Sequence, residues 1–176
     1  MKKGFTMIEL IFVIVILGIL ASVAIPRLAG TKADAEISAA VANLRTLVSD
    51  ANVYYVAKGS FDTNPAGGAI STTWNQITNV PVSAPTNTLS TNTSLNIGGQ
   101  RCIDFFITKE NGDVPAYFTF AKNTKTDANG GGTSPVCREV QNSPSLAPYF
   151  TSRVPGVSAD NARGHIAIGS NTKLVR

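Results

Sequence analysis

The chain has 176 residues, 15 Lys+Arg against 11 Asp+Glu, a formal net charge of +4 and only two cysteines. That length holds one domain plus an anchor, and a charged fraction of 15% amid plentiful Ser, Thr, Asn and Gly is usual for an exported protein. Without Lys2 and Lys3 the balance is 13 basic against 11 acidic residues, so net charge makes no case for nucleic acid.

The chain opens on Lys2, Lys3 and Gly4 and enters an apolar run. From Leu10 to Pro26 there are 17 uncharged residues, mostly Ile, Val and Leu, and counted from Phe5 the segment is 22 long with one acid, Glu9. At ~1.5 Å rise per residue, 20 or so residues cross the ~30 Å hydrocarbon core of a bilayer. A carboxylate near the membrane costs free energy unless it lies at the interface or finds a partner, which makes Glu9 a functional candidate. Two plainer readings compete. Ser22-Val23-Ala24 fits the small-residue site of a secretory signal, which would leave a mature start at Ile25. The run also fits a simple membrane anchor.

Lys2-Lys3-Gly4, Phe5 and Glu9, followed by about twenty apolar residues, resemble the class III leader and N-terminus of type IV pilins and pseudopilins. The matching block covers residues 2–57. The resemblance implies cleavage between Gly4 and Phe5 by a prepilin peptidase, N-methylation of Phe5, and Glu9 as the assembly acid. Pro26 falls where the family carries a helix-bending proline, and Gly18 lies in a part of the helix that loosens in filaments. It further implies an α+β fold in which a long N-terminal helix spans the membrane with its first half and packs its second half on a small antiparallel β-sheet. The expected divisions are a leader at 1–4, an assembly helix half at 5–26, an amphipathic half at 27–58 and a globular head at 59–176.

After Pro26 the pattern stays helical. Ile37, Val41, Leu44, Val48, Ala51 and Tyr55 recur at helical spacing and form one stripe. Asp34, Glu36, Arg45, Asp50 and Lys58 fall largely off it. Pro26 removes one intrahelical hydrogen bond and is expected to bend the rod without ending it. Gly59 is the expected stop. A continuous helix over 5–58 would be ~80 Å long, more than a compact domain of this size needs, so about half is expected to project as a stalk.

Residues 59–100 are rich in Thr, Ser, Asn, Pro and Gly and read as a long surface excursion with one short helix near Trp74–Ile77. In pilin-like proteins this αβ-loop makes subunit or partner contacts. Asn92-Thr93-Ser94 is a glycosylation sequon by pattern. Cys102–Lys109 and Val114–Ala121 flank Asn111-Gly112, the favoured pair for a type I′ turn. That turn sets Ile103 opposite Phe120, Phe105 opposite Phe118 and Ile107 opposite Ala116, an apolar face for the helix stripe to cover. Within the loop 122–135, Asp127-Ala128-Asn129-Gly130 echoes a calcium loop, but Lys125 and Val136 stand where the first and last acids belong. Val136–Gln141 reads as a third strand and His165–Ser170 as a last one.

Cys102 and Cys137, outside the cytoplasm, read as a disulfide closing a 36-residue loop. A metal or redox pair is the alternative, without CxxC spacing or nearby histidines to support it. No metal or other cofactor is expected. GxxxxGK[ST], HExxH and GxSxG are absent and His165 is the single histidine, so an enzyme is not expected either.

The function these features imply is a structural subunit of a type IV pilus, a type II secretion pseudopilus or a related DNA-uptake filament. Its partners would be the prepilin peptidase, other copies and related pilins, an inner-membrane platform driven by a cytoplasmic ATPase, and membrane lipid before assembly. The head would lie in the periplasm on a single-pass anchor. The competing class is a minor pilin acting as a binding module for DNA or a secreted substrate, with Lys122, Lys125, Arg138, Arg153, Arg163, Lys173 and Arg176 as candidate cations. No aromatic-interleaved basic run accompanies them. The Pro-Asp-Pro-Trp-Gly-like block of general-secretion major pseudopilins is missing, and the cysteines are not close to the C-terminus as in many major pilins.

Overall fold

The computed structural model describes residues 4–61, 70–124, 134–158 and 163–169. It divides into two compact units, Met1–Ala35 and Glu36–Arg176. Helix α1, Met7–Lys58, runs unbroken with Pro26 inside it. Gly59 ends it, its amide donating to the Tyr55 carbonyl at 2.7 Å.

Within the second unit, one face of α1 is buried along Ala40, Leu44, Leu47, Ala51 and Tyr55. Three members of the expected stripe, Ile37, Val41 and Val48, are only partly buried and flank this line. Ala40 and Leu47, outside the expected stripe, are buried with it. Each fully buried Leu contributes roughly 1.5–3 kcal/mol relative to exposure.

Four antiparallel strands form the sheet in the order β1-β2-β3-β4: Thr93–Ile97, Gln100–Thr108, Tyr117–Lys122 and Arg163–Ala167. Strand β1 was not expected; it lies inside the stretch read as a surface excursion. Its signal is Gly98-Gly99, a two-residue turn with both φ positive between paired Ile97 and Gln100. The same stretch also supplies core residues, among them Ile70, Trp74, Val80, Val82 and Leu89. Helix α2 is Trp74–Ile77, as expected. Thr78 Oγ1 donates to Asp50 Oδ2 on α1 at 2.7 Å and ties this segment down.

The β2–β3 register differs from the expected one by two residues. Phe105 faces Phe120, Ile107 faces Phe118 and Ile103 faces Lys122. The cause is the turn. Asn111 and Val114 exchange backbone hydrogen bonds, so Gly112 and Asp113 are its central residues. Gly112 has φ +59° and Asp113 does not have positive φ, the signature of a type II′ turn with Gly first. A two-residue shift preserves side-chain parity, so Ile103, Phe105, Ile107, Phe118 and Phe120 still share the buried face.

The expected third strand is a helix. Helix α3, Pro135–Asn142, starts at Ser134, whose hydroxyl accepts from the Cys137 amide, with Pro135 in the first turn. It buries Cys137, Val140 and Gln141, a helical spacing within too short a run to separate from a strand by pattern. The Cys102–Cys137 disulfide is present, with Cα atoms 5.1 Å apart, and joins β2 to α3. A bulge in β1–β2 leaves Cys102 out of the ladder. A 3-10 turn, Pro144–Leu146, and helix α4, Ala147–Thr151, follow. The last strand, β4, begins at Arg163, two residues before the expected start.

Candidate functional site: the apolar N-terminal helix

Gly4, Phe5 and Thr6 precede α1 without regular structure, so the Gly4–Phe5 bond lies outside the helical hydrogen-bond ladder. Thr6 is the cap. Its amide and its hydroxyl both donate to Glu9 Oε2 at 2.8 Å, and the Glu9 amide donates back to Thr6 Oγ1 at 3.4 Å. The Leu10 amide closes the first turn on the Thr6 carbonyl at 3.3 Å. This is a capping box, in which side chains at the two ends of the first turn satisfy each other's backbone amides. The Thr-x-x-Glu signal for it stands in the sequence at Thr6 and Glu9, where the charge of Glu9 is more conspicuous than the hydroxyl of Thr6. Glu9 therefore has a partner within its own chain.

Every large apolar side chain from Phe5 to Leu28 is exposed. Hydroxyl side chains along this part of α1 close on the helix's own backbone. Ser22 Oγ donates to the Ile19 carbonyl at 2.7 Å, and Thr31 Oγ1 to the Leu28 carbonyl at 3.0 Å. Satisfying polar groups inside the segment is what a hydrocarbon environment demands. The helix is long and apolar enough to cross a membrane. Gly18 and Gly30 have open space beside them.

The other sequence candidates separate into structural roles. His165 is buried and meets the Tyr117 ring edge-on at 5.4 Å between centroids. Lys122 Nζ donates to Asn142 Oδ1 at 2.9 Å, and one Arg153 guanidinium nitrogen donates to the carbonyls of Thr151, Ser152 and Arg163. Lys122 and Arg163 line the same cavity, together with Asp104. Lys125, the calcium-like Asp127–Gly130, Lys173 and Arg176 lie outside the described residues. Among the described residues, no group of three or more His, Cys, Asp or Glu is placed to hold a metal. In the sequon, Thr93 and Ser94 lie in β1 and are buried, while Asn92 is exposed.

A long apolar helix at the N-terminus, whose second half covers one face of a four-stranded antiparallel sheet, defines a pilin-like α+β protein. The prokaryotic N-terminal methylation motif matches residues 1–25. The chain is 38% identical over 66 residues to the type II secretion system core protein G of Dickeya chrysanthemi, covering 38% of this chain and 43% of that protein. It is 43% identical over 70 residues to the type IV major pilin protein PilE1 of Neisseria gonorrhoeae, covering 39% and 33%. Against the core protein G of Aeromonas hydrophila it is 34% identical over 84 residues, covering 48% and 54%. These matches span from a third to about half of the relatives' length. No solved structure matches. Over those stretches the chain is similar to type II secretion core proteins and type IV pilins, and its first 25 residues carry the methylation motif.

Proposed function

We propose that this chain is a structural subunit that enters the inner membrane by its N-terminal helix, with its head in the periplasm, and assembles through the same helix into a type IV pilus or type II secretion pseudopilus. The observation that carries this reading is the uncovered apolar surface from Phe5 to Leu28, at the site of the methylation motif. Lipid covers it first, then neighbouring copies. Head-to-tail contacts that do not close into a ring extend as a helical filament. In this reading a prepilin peptidase cuts between Gly4 and Phe5, Phe5 is N-methylated, and its new amine meets Glu9 of the adjacent copy. A charge pair is stronger in low dielectric and selects one axial stagger. Assembly then exchanges the capping contacts of Glu9 for an intermolecular one.

Glu9→Ala tests this. The variant should remain in the membrane fraction while sheared filaments disappear. Filaments at the parental level, or a mature N-terminus at Ile25 by mass spectrometry, would overturn the reading.

A further inference from the structure

Independently of assembly, we propose that the outer face of the sheet is a binding site for a neutral oligosaccharide. Two adjoining cavities of about 850 and 510 Å³ share Asn92 and Asp104, so they form one furrow, at the scale of small-ligand sites. Its floor follows from the strand register. Asp104 stands opposite Ala121 and Phe106 opposite Thr119. Each larger side chain faces a small one, and Asp104 and Phe106 remain half-buried between the fully buried Ile103, Phe105 and Ile107.

The lining chemistry is that of polyol recognition. Primary amides recur beside hydroxyls: Asn87, Asn92, Asn96, Asn123 and Asn142 all line the furrow. An amide offers two donors and an acceptor side by side, matching adjacent sugar hydroxyls that each donate and accept. The side chains of Asn87, Asn92 and Asn96 make no hydrogen bond among the described residues. Asp104 Oδ1 accepts from Ser94 Oγ and from Asn123 Nδ2, the latter at 2.8 Å, whereas Oδ2 accepts none among the described residues. That oxygen is held in place and available to a hydroxyl donor. Phe106 supplies an aromatic face of negative potential against which a pyranose can lay its C–H groups.

The walls are fixed in advance, which reduces the ordering cost of binding. The disulfide fastens α3 to β2. Gln141 Nε2 bridges the carbonyls of Cys102 and Asn123 at 2.6 and 2.9 Å. A phosphate backbone fits less well. It would meet the Asp104 carboxylate where the cavities join, and the three cations that line the furrow are engaged: Lys122 Nζ is committed to Asn142 and lies 5.6 Å over the Phe150 ring, and Arg101 and Arg163 each have contacts of their own.

The test uses the full chain in a zwitterionic detergent without sugar groups, titrated by saturation-transfer NMR with maltotriose, mannotriose and chitotriose after an array screen of neutral glycans. At least one neutral glycan should bind with little dependence on salt. Phe106→Leu and Asp104→Asn should each weaken that binding about tenfold or more, the scale of one lost charged hydrogen bond or ring contact, with Val53→Ala unchanged. If Asp104→Asn unfolds, Phe106→Leu decides alone. A silent array, undiminished binding in the folded variants, or salt-sensitive duplex-DNA binding in place of glycan would overturn the proposal. Filament yield is scored separately, so failure here leaves the assembly reading untouched.

Discussion

The backbone amide of Gly169 donates to the side-chain carbonyl of Asn52 at 2.9 Å, across 117 residues of chain. The Asn52 amide nitrogen donates in turn to the Val48 carbonyl at 2.7 Å, which fixes its orientation on α1. One residue earlier, the Ile168 amide reaches the Ala116 carbonyl at 2.7 Å. The segment leaving β4 is thus stitched to both the helix and the sheet. Gly169 has φ +74°, and a Cβ there would lie 2.8 Å from the Tyr55 ring. Gly169→Ala should therefore cost about 1–3 kcal/mol, and Asn52→Leu a similar amount by stranding the Gly169 amide. Thermal unfolding of the purified chain checks both. An unchanged midpoint in Gly169→Ala would mean that this junction is open in solution.

The β2–β3 turn offers a sharper comparison. In the observed type II′ geometry only Gly112 needs positive φ. Gly112→Ala should destabilise by about 1 kcal/mol or more, whereas Asn111→Ala should fall within about 0.5 kcal/mol of the parent. A type I′ turn centred on Asn111-Gly112 would penalise both. Denaturant midpoints of the two variants separate the registers.

That turn also marks how far the sequence could be read. The apolar alternation of Ile103, Phe105 and Ile107 was enough to identify the buried face, because parity survives an even shift. It could not fix the pairing, which rests on whether Asn111 or Gly112 takes the first turn position. The long helix, its stop at Gly59 and the short α2 were legible from periodicity and punctuation. Strand β1 was hidden because Thr93–Ile97 sits in a Thr/Asn-rich setting and gains its burial from β2 and residues 82–83. Helix α3 cannot be told from a strand by period over the six residues Val136–Gln141; its only start signal is Ser134-Pro135. At the N-terminus, Glu9 stood out by charge while Thr6 did not, although the cap needs both.

The disulfide should matter to the head and not to membrane insertion. Cys102 and Cys137 enclose a loop that contains β3's neighbouring turn, the rest of β2, β3 itself and the start of α3. Cross-linking a loop of this length constrains the unfolded chain by about 2–4 kcal/mol. A Cys102→Ser/Cys137→Ser double variant should lose that amount in denaturant unfolding, yet fractionate with membranes like the parent, since α1 from Phe5 to Leu28 makes no use of it. Equal stability of the two proteins would show that the α3 contacts around Val140 and Gln141 suffice.

Two tyrosines predict an alkaline limit. Burial raises the Tyr55 hydroxyl above its ordinary value, and the Glu110 carboxylate, which pairs with it, raises it further. Burial also raises Tyr149, against the opposing pull of Arg45. Both phenols thus hold their protons to higher pH when folded than when unfolded. Their contribution to stability is fully present below the unfolded phenol range, near ~10, and is lost as pH rises through the folded values. Thermal midpoints should accordingly fall on raising the pH through and above that range. In Tyr55→Phe the fall should be shallower, because the titrating group is gone, although the neutral-pH midpoint drops with the Glu110 hydrogen bond. A Tyr55→Phe profile parallel to the parent's would assign the alkaline loss to other groups.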